Sequence, residues 1–278
     1  ISNLISIVIN LKKMIVHNFD PVLIDFGIVQ IRWYSLAYVL GILAGWWYGR
    51  SVIKKQIQDT SQKNYLENFD DLIGYLIVGV VLGGRLGYVF FYNPVFYFEN
   101  ILEIFKLWKG GMSFHGGLVG VILSTYIFTK IKDLNYKVYF DTISCVAPIG
   151  IFLGRIANFI NGELYGIHTE KTWGIVFPKV DSMPRHPSQI YEALLEGVLL
   201  FVILNFLIGK KIFNHGTISL LFLILYGMFR IISEQFRQPD EHIGYMFGHL
   251  SMGSMLSVLM IILGALFLSR FIFNEKNK

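Results

Sequence analysis

Tyr226, Arg230 and Glu234 follow one another at intervals of four residues, and Arg237 comes three further on. Offsets of three and four stack side chains on one face of a helix, so this stretch carries a polar stripe through apolar surroundings. Arg155 and Asn158 share a face in the same way, with Glu163 just beyond them. Two segments thus each present an arginine toward a common interior. A guanidinium keeps its proton even when desolvated, and its planar fork matches phosphate oxygens, whereas a lysine risks losing its charge. The chemistry favoured is recognition of a phosphate and stabilisation of negative charge growing on it. The competing reading is that the arginines only join helices through carboxylates. Arg230 can pair with Glu234, Arg155 has no carboxylate within a turn of its own helix, and Arg85 fits both readings.

His115 lies in the run Gly110-Gly111-Met112-Ser113-Phe114-His115-Gly116-Gly117. Glycines on both sides let backbone or substrate approach closely. A histidine there can accept a proton near neutral pH, or it can simply bond a neighbouring loop from a helix start. Ser113 does not fit a nucleophile elbow, because the residue two further on is His115 and not glycine. No H-E-x-x-H pattern supports a zinc hydrolase. The single cysteine, Cys145, excludes an internal disulfide framework and a multi-cysteine metal site, and its apolar segment makes it a small core residue. No metal or organic cofactor is implied.

The elements that must position these groups are membrane helices. Hydrophobic residues make up 54% of the chain and charged ones 15%, with a mean hydropathy of +0.54. A soluble domain carries about 25% charged residues. The pattern predicts an all-α integral membrane protein with seven transmembrane helices, at about 33–52, 72–92, 112–129, 139–160, 189–208, 217–236 and 250–271. Residues 95–108 mix charges with aromatics and read as an interfacial helix. The loop from about 161 to 188 contains Trp173, Phe177 and Pro178 and is expected to form a small extracytoplasmic cap. Gly79, Gly83, Gly84 and Gly87 form one small-residue face, and Gly110, Gly111, Gly116, Gly117 and Gly120 another, as close helix approach in lipid requires.

The net charge of +5 does not indicate nucleic acid. The basic residues flank apolar segments, where they anchor helices against anionic headgroups. Lys and Arg follow the first, third, fifth and seventh expected spans, which puts those flanks in the cytoplasm, the N-terminus outside and the C-terminus inside. Intramembrane Arg and Glu also suit a transporter with a charge relay, and a lipid-binding scaffold is a third class. The clustering of charges on the outward helix halves favours a site open to one side.

Beyond these features, Gly111-Met112-Ser113-Phe114-His115-Gly116-Gly117 and the run from Gly154-Arg155 through Asn158 and Glu163 to Gly166 resemble the prolipoprotein diacylglyceryl transferases. Further matches are Arg32-Trp33-Tyr34, Gly83-Gly84-Arg85-Leu86-Gly87-Tyr88, Arg185-His186-Pro187-Ser188-Gln189-Ile190-Tyr191-Glu192, and Tyr226 through Arg230 and Glu234 to Asp240. They run in family order from about Phe19 to the last span. The resemblance implies a multi-pass enzyme of the bacterial plasma membrane. It would move diacylglycerol from phosphatidylglycerol onto the lipobox cysteine of a prolipoprotein signal peptide, forming a thioether as glycerol phosphate leaves. The partners so implied are phosphatidylglycerol, lipobox signal peptides and the lipid bilayer. The implied catalytic set is Arg155, Arg230, His115, Tyr226 and Glu234. The implied substrate-binding set is Tyr34, Arg85, Gly116, Asn158, Glu163, Gly166 and Arg237. The thiol base is His115 or the Tyr226, Arg230, Glu234 network. Two departures stand out: Ser254 occupies a position where the family pattern has glutamine, and the loop before Arg185 is shorter than in larger members.

Residues 14–278 are expected to form one transmembrane catalytic domain. Residues 1–13 read as an extension, because their apolar run is too short to span and its lysines follow it, the reverse of a signal peptide. N-terminal sequencing of the native protein is expected to start at Met14; a start well before it would refute this boundary.

Overall fold

Long runs of Leu, Ile, Val and Phe leave a backbone in hydrocarbon no partner but itself, so they wind into helices. The structure, a computed structural model, describes residues 15–27, 30–107, 110–210, 212–239 and 251–276; the expected extension at 1–13 lies outside them. Three short strands come first: β1 (Ile15–Val16), β2 (Val22–Asp25) and β3 (Gln30–Arg32). The helices that follow are α1 (Trp33–Gln56), α2 (Gln62–Phe91), α3 (Pro94–Glu99), α4 (Phe114–Ile131) and α5 (Tyr136–Asn161). Strands β4 (Ile175–Val176) and β5 (Pro184–Arg185) precede α6 (Ser188–Gly209), α7 (Thr217–Glu234) and α8 (Met252–Lys276).

Among the described residues six helices are long and apolar enough to cross a membrane: α2, α4, α5, α6, α7 and α8. The first of the seven expected spans, α1, is helical over 24 residues but is not among the six. Trp33, Tyr34, Tyr38, Trp46, Trp47 and Tyr48 dilute its aliphatic content, and such side chains favour the headgroup level. Helix α2 begins at Gln62 and not near 72, because its first turns are polar and extend an already apolar run. The interfacial segment expected at 95–108 resolves into α3 and a 3₁₀ turn, Ile101–Phe105.

The chain divides into two compact units, one of residues 1–45, 144–213 and 217–278, the other of 46–143 and 214–216. In the second unit α2 packs on α4 along glycine. A Cβ at Gly79 would stand 2.6 Å from the Gly120 carbonyl oxygen, one at Gly87 2.7 Å from the Gly116 Cα, and one at Gly120 would run into the Gly79 carbonyl. The two backbones touch, which is the close approach that small residues permit in lipid. Ile53, Phe69, Leu72, Phe128 and Tyr139 form the buried cluster of this unit. Ser113 caps α4 by accepting from the Gly116 amide.

In the first unit α1 approaches α5 at Gly41 and Gly150, and Gly227 of α7 faces Ser257 and Ile261 of α8. Helix α6 carries a π-helical stretch, Ala193–Leu199, which the sequence does not announce. The loop between α5 and α6 contains strands not foreseen in an all-α reading. β4 pairs antiparallel with β5 and parallel with β1, so residues just after Met14 are woven into this loop. His17 follows: its Nε2 lies 2.6 Å from the Phe159 carbonyl, and its ring stacks on Phe177.

The glycine seam yields a paired expectation. Gly120→Ala forces α2 and α4 apart and lowers stability by about 1–3 kcal/mol. Gly150→Ala adds a methyl with nothing within 4 Å and stays within about 1 kcal/mol of the parent. Unfolding in detergent micelles measures both; equal loss in the two variants would count against the seam.

Candidate active site

Glu192 and Glu196 lie one turn apart on α6, Glu196 inside the π stretch, and both side chains are fully buried. Isolated carboxylates at such depth are prohibitive, so each must meet a cation. Glu192 meets three. Its Oε2 is 2.9 Å from Arg155 Nη1, and its Oε1 is 2.9 Å from Arg230 Nη1 and 3.3 Å from Arg237 Nη1. Glu196 Oε2 lies 3.1 Å from Arg155 Nη2. Its Oε1 lies 3.4 Å from Arg230 Nη1 and accepts from the Ser233 hydroxyl at 2.9 Å. Glu234 adds a contact of 2.6 Å to Arg230 Nη2. Helices α5, α6 and α7 thus meet in a cage of guanidiniums and carboxylates whose formal charges cancel.

The convergence of Arg155 and Arg230 matches the expectation from spacing. The reasoning that set Arg155 apart for want of a carboxylate on its own helix does not hold, since α6 supplies two. Glu192 was visible in a motif without a role, and Glu196 and Ser233 were missed. The available signal was two carboxylates, four residues apart, inside the apolar run 189–208, where each ionisable group is a functional candidate by default.

Other candidates lie in the same unit. Asn158 donates to Glu163 Oε1 at 2.7 Å, and Gln189 donates to the Glu163 carbonyl. Tyr226 is buried one turn before Arg230 and stacks on Phe222. Arg237 also pairs its backbone with Gly166. A Cβ at Gly166 would stand 2.6 Å from the Phe236 carbonyl oxygen and collide with that of His186, so only glycine fits. Tyr34 lies beside Tyr38, with ring centroids 5.1 Å apart. Ser254, the departure from the family pattern, turns to its own helix start and shares a hydrogen bond with Ser251.

The loop over residues 161–188 is organised by Arg185. It holds Asp181 at 2.6 Å, donates to the Gly166 carbonyl and lies over the Tyr165 ring. Hydrogen bonding to Arg185 keeps the Asp181 carboxyl below its ordinary range.

Arg85, His115 and Gly116 belong to the other unit. His115 stands at the start of α4, edge-on to Phe114, and Gly116 faces the α2 backbone. Arg85 is 3% exposed, and its five donors all meet backbone carbonyls. Nε donates to Ile104, Nη1 to Gly110 and Gly111, and Nη2 to Glu103 and Lys106. Its guanidinium also lies 5.0 Å from the Tyr97 ring centroid. Gly110 and Gly111 take positive φ of 80° and 81° to aim their carbonyls there. In this structure Arg85 organises the segment between α2 and α4.

Membrane-length helices around buried charges define a multi-pass integral membrane protein with an intramembrane ionic site. The family model for prolipoprotein diacylglyceryl transferase matches residues 21–270. The chain is 47% identical over 263 residues to the phosphatidylglycerol–prolipoprotein diacylglyceryl transferase of Rickettsia typhi, covering 92% of this chain and 98% of that relative. It is 48% identical over 250 residues to the enzyme of the same name from Rickettsia felis, covering 89% and 95%. The chain therefore belongs to the prolipoprotein diacylglyceryl transferase family, and it is a transferase.

The Arg85 contacts predict that Arg85→Lys cannot stand in, because an ammonium has three donors in place of five. The loss is at least about 3 kcal/mol, with faster proteolysis of the segment between α2 and α4. Limited digestion with mapping of the cut sites measures it; wild-type resistance in Arg85→Lys would refute the assignment.

Proposed function

We propose that this chain transfers the diacylglyceryl group of phosphatidylglycerol to the lipobox cysteine thiol of prolipoprotein signal peptides. A thioether forms and glycerol phosphate leaves, as the first step of bacterial lipoprotein maturation. The observation that carries this reading is the meeting of Arg155 and Arg230, from two helices, on the same buried carboxylates. The names of the relatives from Rickettsia support the substrates.

In the proposed mechanism phosphatidylglycerol enters sideways from the outer leaflet, and Arg155 and Arg230 hold its phosphate with help from Asn158. Among the described residues, the Nε edges of both guanidiniums carry no partner. The cysteine loses its proton, since thiolate is the nucleophile. A sulfur–carbon bond forms at the glycerol carbon bearing the phosphate ester, and the carbon–oxygen bond breaks. Charge gathers on the departing phosphate, where the arginines stabilise it in a low-dielectric site. The proton goes to His115 or to the network of Tyr226, Arg230 and Glu234. Tyr34, Arg85, Gly116, Glu163, Gly166 and Arg237 complete the proposed substrate-binding set, Arg85 by shaping its loop.

We further place α1 as a seventh span in the plasma membrane, since 24 residues of helix reach about 36 Å against a hydrocarbon core of about 30 Å. The N-terminus then lies outside, the C-terminus lies in the cytoplasm, and residues 161–188 cap the bundle on the outer side. Residues 14–278 act as one catalytic domain.

Purified protein mixed with phosphatidylglycerol and a lipobox peptide is expected to add the mass of one diacylglyceryl group to the peptide. Arg155→Ala is expected to reduce turnover by about 10²–10³-fold. Absence of any mass gain would sink the enzyme reading and leave transport or scaffolding. If His115→Gln keeps near-normal turnover while Arg155→Ala loses it, the network is the base and His115 is not.

A further inference from the structure

Glu196 has no part in the mechanism above, yet it is fully buried and meets both phosphate-handling arginines and Ser233, with Tyr226 also within its electrostatic reach. Glu192, its neighbour one turn earlier, also reaches both arginines but is shared with Arg237. Each Glu196 oxygen has its own arginine, Oε2 on Arg155 of α5 and Oε1 on Arg230 of α7. Two guanidiniums aimed at one space repel each other, and the repulsion is strong where water is excluded. An anion between them must therefore be present before any substrate arrives, or the pair would splay. The Ser233 hydroxyl, from the same helix as Arg230, fixes the carboxylate against rotation. The π stretch gives the reason for the local winding: such stretches reposition side chains within a helix and recur at functional sites.

We propose that Glu196 is a positioning residue for the transfer reaction, a brace that aligns Arg155 and Arg230 from beneath while the substrate phosphate meets their open edges. This rests on the proposed reaction for its turnover readout. Its second consequence needs no turnover. The cage holds Arg155, Arg230 and Arg237 against Glu192, Glu196 and Glu234, so Glu196→Gln keeps the shape and leaves one positive charge in excess. Anion binding then strengthens while alignment worsens, which lowers kcat without raising KM. A carboxylate that merely glued helices would change the yield of folded protein and leave both constants, per folded molecule, as they were.

The test uses full-length protein in lipid nanodiscs, with phosphatidylglycerol and a lipobox peptide as substrates and glycerol phosphate as inhibitor. E196Q is expected to lower kcat about 10–100-fold, to keep or lower KM for phosphatidylglycerol, and to tighten glycerol phosphate inhibition about threefold or more. E196D keeps the charge with a shorter reach and is expected to restore part of kcat without the tighter inhibition. Wild-type kcat in folded E196Q overturns the proposal, as does a rise in KM together with weaker glycerol phosphate binding. If E196Q does not fold, E196D decides: reduced kcat at unchanged KM supports the brace, and unchanged kcat removes it. If the parent protein transfers nothing, the proposed function fails by itself. Calorimetric binding of glycerol phosphate to parent and E196Q then still tests the brace: tighter binding in E196Q supports it, and equal or weaker binding overturns it.

Discussion

A guanidinium cannot shed its charge, so every arginine taken out of water must be answered by something fixed. That requirement organises both units of this chain, by two different means. Arg155 and Arg230 are answered by carboxylates from another helix or a neighbouring turn. Arg85 is answered by the carbonyl dipoles of a loop that bends around it. The first solution leaves guanidinium edges free of a partner among the described residues. The second occupies every donor and leaves the charge intact.

The carboxylate solution also explains why α6 is where it is. Glu192 and Glu196 form a strip of negative charge on an apolar helix, and that strip has no stable place except against a matching strip. Helices α5 and α7 each bring one arginine to it, with Arg237 following α7. The Ser233 hydroxyl and the Gln189 amide satisfy neighbouring acceptors, so the polar centre is held on several sides. Outside it the loop over residues 161–188 repeats the motif on a small scale, with Arg185 drawing Asp181 and the Gly166 carbonyl together.

Much of this was legible in the residues themselves. Apolar runs marked the membrane helices because length and composition are local properties, and the glycine spacing marked a close-packing face on each of α2 and α4 for the same reason, though not that the two faces meet. The stripe of Tyr226, Arg230 and Glu234 was legible because it lies within one helix. The partners of Arg155 were not, because a contact between helices leaves no trace in the spacing along either one. The two-residue strands β1, β4 and β5 are too short to show an alternation, and β1 pairs with residues far along the chain. The π stretch was hidden because Ala193–Leu199, a glutamate and a glycine among apolar residues, carries nothing in its order that separates π from α winding. Helix α1 was read as an ordinary span, although its tryptophans and tyrosines give it a different affinity for the bilayer.

Charge balance in the cage bears on how a phosphate ester could both react and leave. An unbalanced cluster of three arginines would hold any phosphate tightly, product as well as substrate, and uniform tightness does not speed a reaction. With three carboxylates present, a phosphodiester arriving at the open edges in the proposed reaction meets guanidiniums whose charge is already partly answered, so ground-state binding is moderated. As the ester bond breaks, negative charge on the phosphate grows while that on the glutamates does not change. Under the proposed function the arginines then gain more from the phosphate in the transition state than in the ground state, the difference on which acceleration depends. In the proposed reaction the same carboxylates hold the arginines in place as glycerol phosphate departs. Neutrality of the resting cage is therefore consistent with a phosphate site that must turn over, in contrast to one built only to bind.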